Sequence, residues 1–101
     1  MPQKAGDAPG AVPDAREVAR RLIAMRKAMA LKKSEIADEL RCDRTTWGKY
    51  ESAERDLTLA VAWRIHRLYG FTLDLIFDGK RYGIPEQYRS TVIRRLNDFP
   101  G

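Results

Sequence analysis

Cysteine and histidine each occur once in this chain, as Cys42 and His66. A single cysteine excludes an internal disulfide framework, and one residue of each kind cannot build a His/Cys metal cage. There is no glycine-rich phosphate loop, and no motif surrounds the lone histidine to suggest a Ser–His–Asp arrangement. The sequence therefore gives no sign of an enzyme, and no cofactor or metal is expected. No apolar run approaches the roughly 20 residues that a membrane span needs. The opening segment, MPQKAGDAPGAVPD, lacks the apolar stretch of a secretion signal, so the expected location is cytoplasmic. Proline is scarce beyond residue 13, which leaves long stretches free to form helices.

What is present is the composition of one globular domain plus tails: 101 residues, 44% hydrophobic and 33% charged. Lysine and arginine number 19 against 14 acids, a formal net charge of +5. That balance favours a polyanionic partner, nucleic acid first and anionic lipid second. The excess is modest, so the placement of the cations matters more than their sum.

Residues 1–13 hold three of the five prolines and read as a disordered arm. DARE, at 14–17, is a capping-box pattern that starts a first helix over about 14–29. Val18, Leu22, Met25 and Met29 share one face of it. Arg16, Arg20, Arg21 and Lys27 share the other, either as a solvated surface or as phosphate contacts. A second helix spans about 33–40, with Ile36, Ala37 and Leu40 inward and Lys32 as a weak cap. Asp43 caps a third helix over about 44–52. Thr58 caps a fourth over about 59–69, which Gly70 ends, with Ala62, Ile65, His66 and Tyr69 inward. Thr72 caps a last short helix over 73–77, with Phe71 and Ile76 placed as a hydrophobic staple. Residues 80–101 read as a separate extension with a short helix, in which Tyr88, Val92 and Leu96 recur every four residues. No segment alternates with period two for long enough to compete as a strand. The fold class is all-α.

The third helix poses a question, because CDRTTWGKYE places Gly48 between Trp47 and Tyr50. A glycine there costs about 1 kcal/mol relative to alanine. Short helices joined by a tight turn suggest a helix-turn-helix arrangement. From LKKSEIADELRCDRTTWGKYESAERDL through GFTLDLIFDG, residues 16–79 resemble the Cro/C1 (XRE) family of repressors. Leu31, Ile36, Ala37 and Leu40 fit that family's second helix. Asp43 takes the place of its serine cap, and Trp47, Tyr50 and Glu51 fit the end of its recognition helix. Lys33 stands where a glutamine is common, Arg41 where the turn has glycine, and Ala53 where a glycine often follows the third helix. If the Arg41 position is left-handed, a side chain there costs about 1–2 kcal/mol.

The resemblance implies a transcriptional regulator, a repressor, that binds double-stranded DNA as a homodimer and reads the major groove with helix 44–52. In such proteins the N-terminal residues of that helix reach the bases. Arg44, Thr45, Gly48 and Lys49 are then the outward residues, because Trp47 and Tyr50 must face the core. Thr46 is expected on a phosphate or in helix packing. Lys33 and Ser34, at the start of the second helix, and Arg55, in the loop after the third, are expected on phosphates. Gly48 would let the helix backbone lie close to the DNA; the bland reading is a tolerated glycine. Arg26 and Glu51 match positions where the family ties its first helix to its third by an ion pair. Trp63, Leu75 and Phe77 are the expected dimer contact, with packing of Trp63 against the tail as the bland reading. Arg94 and Arg95 are either extra DNA contacts or a solvated helix face. His66 reads as a satisfied core histidine and Cys42 as a structural thiol. A second function stays open: an antitoxin or protein-binding adaptor whose tail, 80–101, holds a partner protein.

Overall fold

A computed structural model describes residues 12–98, and most of the expected disordered arm lies outside them. All regular structure in those residues is helical. Helix α1 is Ala15–Ala28, α2 Lys33–Glu39, α3 Arg44–Glu51, α4 Leu59–Tyr69 and α5 Arg89–Asn97. A π-helical turn, Asp74–Asp78, and two 3-10 turns, Arg81–Gly83 and Glu86–Tyr88, join α4 to α5.

Local chemistry sets the helix starts. The Asp14 carboxylate accepts from the Arg16 and Glu17 amides, Asp43 from Thr46, and Thr58 from Val61. Thr72 Oγ1 accepts from the Leu75 amide and so starts the π-turn. At α2 the help comes from inside the helix: the Glu35 carboxylate accepts from the Lys32 amide at 2.7 Å. Gly70 ends α4 in the left-handed region. Three other helix ends turn there without glycine, at Ala30 (φ 58°), Arg41 (φ 53°) and Ala53 (φ 63°). Each carries about 1–2 kcal/mol of backbone strain, and the turn between α2 and α3 takes the left-handed shape at Arg41 in spite of it. Arg64 of α4 explains part of this. Its Nη1 donates to the carbonyls of Leu40 and Arg41, at 3.1 and 3.5 Å, and pins the turn from behind.

One core runs through the molecule. Trp47, Phe71, Leu22, Ile65, Ile76 and Val92 are among its fully buried side chains. Val92 belongs to α5 and Ile84 lies just before it, so residues 80–98 are not a separate appendage. Helix α5 lies against α1, and the Tyr88 ring stacks on Phe71 with centroids 5.8 Å apart. The chain reaches that position through a close approach at Gly83. A Cβ there would fall 1.7 Å from Thr72 Oγ1, and the Gly83 carbonyl accepts from the Thr72 amide. Only glycine fits.

The packed tail corrects two expectations. Leu75 is fully buried, because α1 covers the π-turn on one side and the Arg81–Gly83 turn adjoins it. It therefore has no surface to offer a dimer partner. Arg21, read as part of a basic outer face, is half-buried and donates to the Ile76 carbonyl at 3.2 Å. Burial pushes its guanidinium pKa down from the ordinary value.

Candidate nucleic-acid interface

Helix α3 has a fixed back and an open front. On its back, Trp47 and Tyr50 are buried and meet edge to face, with centroids 6.1 Å apart. Burying one large aromatic side chain contributes about 1.5–3 kcal/mol, more than the helix loses at Gly48. Glu51 completes the anchor. Its carboxylate accepts Arg26 Nε–H at 2.6 Å and Nη2–H at 3.1 Å, the forked geometry that suits a guanidinium. It also accepts Trp47 Nε1–H at 2.7 Å. Arg26 Nη1 donates to the Leu31 carbonyl at 2.9 Å, so α1, α3 and the α1–α2 junction share one buried network.

The front is formed by Arg44, Thr45, Gly48 and Lys49. Arg44 and Thr45 are exposed, and Gly48 and Lys49 are half-exposed. A Cβ placed on Gly48 would meet no atom within 4 Å. Packing inside the protein therefore does not require glycine at that position. Thr46 is half-buried, and its hydroxyl donates to the Asp43 carboxylate at 3.4 Å. Lys33 is exposed and Ser34 half-exposed at the start of α2, and Arg55 is exposed after α3.

One feature of the front escapes a reading of sequence. The Asp38 carboxylate, on α2, accepts Arg44 Nε–H at 3.0 Å and Nη2–H at 2.7 Å. The Arg44 hydrogen bond holds the Asp38 carboxyl below the usual carboxylate range, and the same bond raises Arg44. The pair spans the turn, and no local motif announces it.

The remaining candidates fall elsewhere. Trp63 is exposed on α4 and lies beside His66, whose Nδ1 meets the Phe71 carbonyl at 3.0 Å. Cys42 is half-buried, and desolvation raises its thiol pKa. Leu59 and Leu68 are exposed on the same helix as Trp63, while Phe77 is half-buried against the core. Arg94 is exposed and Arg95 half-buried on α5. Among the described residues no group of His, Cys, Asp and Glu could hold a metal ion, and no helix is long and apolar enough to cross a membrane.

A family model described as a helix-turn-helix domain matches residues 17–76, more than half of the chain. No curated protein and no solved structure matches. The matched segment takes in the Arg26–Glu51 anchor and all of α2, α3 and α4, and it ends in the π-turn.

Proposed function

The chain belongs to the helix-turn-helix domain family and is in general terms a DNA-binding regulator, and from that premise we propose that it is a sequence-specific repressor acting as a homodimer on operator DNA. The observation that carries this reading is the contrast across α3. Its back is fixed by Trp47, Tyr50 and Glu51, and on its front a Cβ at Gly48 would meet nothing within 4 Å beyond its own stretch of helix. A helix presented this way fits the major groove, which admits one α-helix.

In this reading Arg44 and Thr45 face base edges. Lys49 lies along the groove wall, and the missing side chain of Gly48 lets the backbone approach. Lys33, Ser34 and Arg55 hold phosphates and set the register. At the start of α2 the Lys33 and Ser34 side chains are the phosphate contacts; the Lys32 amide is taken by Glu35. One recognition helix reads few base pairs, so a dimer on two half-sites supplies the rest. Trp63, with Leu59 beside it on α4, is the dimer contact we favour, with Phe77 at its edge. Bound DNA is occupied DNA, which is why we read the output as repression. The apolar face of the tail, the feature that spoke for a partner protein, is used on α1 through Val92. We therefore rank an antitoxin or adaptor role second.

Selection from random duplexes tests the reading in one experiment. The expected result is a two-fold-related sequence with half-site centres about 34–36 Å apart, or a multiple of that. Arg44→Ala should relax preference at one base position and weaken the preferred site by roughly five- to 150-fold, the range of a bidentate base contact. Equal weakening on preferred and random duplexes would make Arg44 a phosphate contact. Recovery of no sequence at all would remove the repressor reading.

A further inference from the structure

Arg44 does not project from α3 as an unattached cation. Asp38 takes its Nε–H and one Nη2–H in a side-on fork. A guanidinium has five N–H groups in one plane. Two are committed to Asp38; of the three left, one on Nη1 and one on Nη2 point the same way and form the end-on edge. No other hydrogen bond from Arg44 to a protein group is formed among the described residues. The end-on edge carries two parallel donors, and guanine O6 and N7 are the paired acceptors in the major groove that match them.

The carboxylate does three things to this arginine. It restricts a long, flexible side chain to rotamers that reach Asp38. It offsets the positive charge locally, which weakens attraction to a phosphate, a partner that any cation can take. It also sets a negative charge beside the groove-facing helix, so a backbone phosphate that strays into this position is repelled. All three effects favour a base over a phosphate. Both residues are exposed, with side chains 57% and 66% accessible, so the pair does little to hold the fold.

We propose that Asp38 is a specificity-determining positioning residue: held side-on by its carboxylate, Arg44 presents its end-on edge to guanine and is withheld from phosphates. The proposal rests on the reading of α3 as the groove helix, and it adds a prediction of the base, guanine, and of a residue outside α3 that selects it.

The experiment compares the full chain with Asp38→Ala, Asp38→Asn and Arg44→Ala. Each is used in selection from random duplexes and in titration of the preferred and a random duplex at one salt concentration, with circular dichroism confirming the helical fold. In the unmodified protein a guanine should be selected, and Arg44→Ala should erase that preference. Asp38→Ala should bind random duplex as well as the parent or better, while its preferred-to-random ratio falls about tenfold, with the loss at the same guanine. Asp38→Asn keeps one acceptor and should fall between. If Asp38→Ala leaves the ratio and the guanine untouched, the pair is only a surface contact and the proposal is overturned. If Asp38→Ala tightens binding to the preferred duplex, Asp38 competes with DNA and the proposal is likewise overturned. Should Arg44→Ala keep every base preference of the parent, Arg44 is not the reader and the proposal falls with that assignment. Selection of no sequence by the parent would remove the groove reading itself, an outcome separate from the Asp38 result.

Discussion

The two ends of α3 carry the same chemistry in opposite settings. At the C-terminal end Glu51 and Arg26 form a forked pair whose side chains are 2% and 10% accessible. At the N-terminal end Asp38 and Arg44 form a forked pair at 57% and 66%. The distances are alike, 2.6 Å and 2.7 Å for the closest contacts. Burial separates them. The inner pair is shielded from water and salt, and each partner has a further hydrogen bond, Glu51 from Trp47 and Arg26 to the Leu31 carbonyl, so it can hold a helix in place. The outer pair is bathed in solvent, where an ion pair adds little to folding, but where a groove lined with acceptors can use the arginine. The same kind of fork is thus an anchor at one end of the helix and, in the role we propose for Asp38, a guide at the other.

The sharpest way to break the comparison is to remove one partner of the inner pair. Arg26→Met strands the Glu51 carboxylate in the core, and the expected loss of stability is about 3–5 kcal/mol. Adding Glu51→Leu removes the stranded charge and should recover most of that loss. Recovery should remain incomplete, because Trp47 Nε1–H then has no acceptor. A buried unpaired donor costs about 1–3 kcal/mol. Urea denaturation of the single and double variants measures this, and simple additivity would show that the pair is not coupled. Asp38→Ala in the same experiment should leave the midpoint where it was.

Gly48 tests the middle of the helix, with a smaller effect of opposite sign. A methyl at Gly48 meets open space, so Gly48→Ala should raise stability by about 1 kcal/mol through helix propensity. The same methyl would stand between the helix backbone and the groove, so affinity for the preferred duplex should fall. Denaturation and duplex titration on one preparation check both signs. Gained stability with unchanged affinity would mean that the glycine is merely tolerated and the backbone does not approach the DNA closely.

How far these features were legible in sequence follows from their range along the chain. The caps Asp14, Asp43, Thr58 and Thr72 bond within three residues and could be read directly. The Arg26–Glu51 pair spans 25 positions and was reached only through family resemblance. Nothing comparable pointed to Arg64 on the turn carbonyls, Trp47 Nε1 on Glu51, or Asp38 on Arg44. Those contacts depend on how helices cross, which periodicity does not encode. Leu75 was misjudged for a related reason. Its surroundings are built by α1 and by the turn at Gly83, contacts that a pattern along 73–77 alone does not carry.

The finest test of the comparison is acid titration of the outer pair. The Arg44 hydrogen bond lowers the Asp38 pKa, so the charged carboxylate is favoured in the folded protein. For a carboxyl depressed on folding, the contribution is fully present above the unfolded value, about 3.9, and is lost as pH falls through the folded value. The Asp38–Arg44 fork should therefore be intact at neutral pH and at every pH down to the ordinary carboxylate range, and should open only below it. Following the Asp38 carboxyl carbon by NMR should give a midpoint below the usual value, and Arg44→Ala should move it back up. Thermal stability should hardly change across that midpoint, because neither partner is buried. A midpoint unmoved by Arg44→Ala would mean that the fork is not populated in solution, and the guide at this end of α3 would then have to be sought in the DNA complex alone.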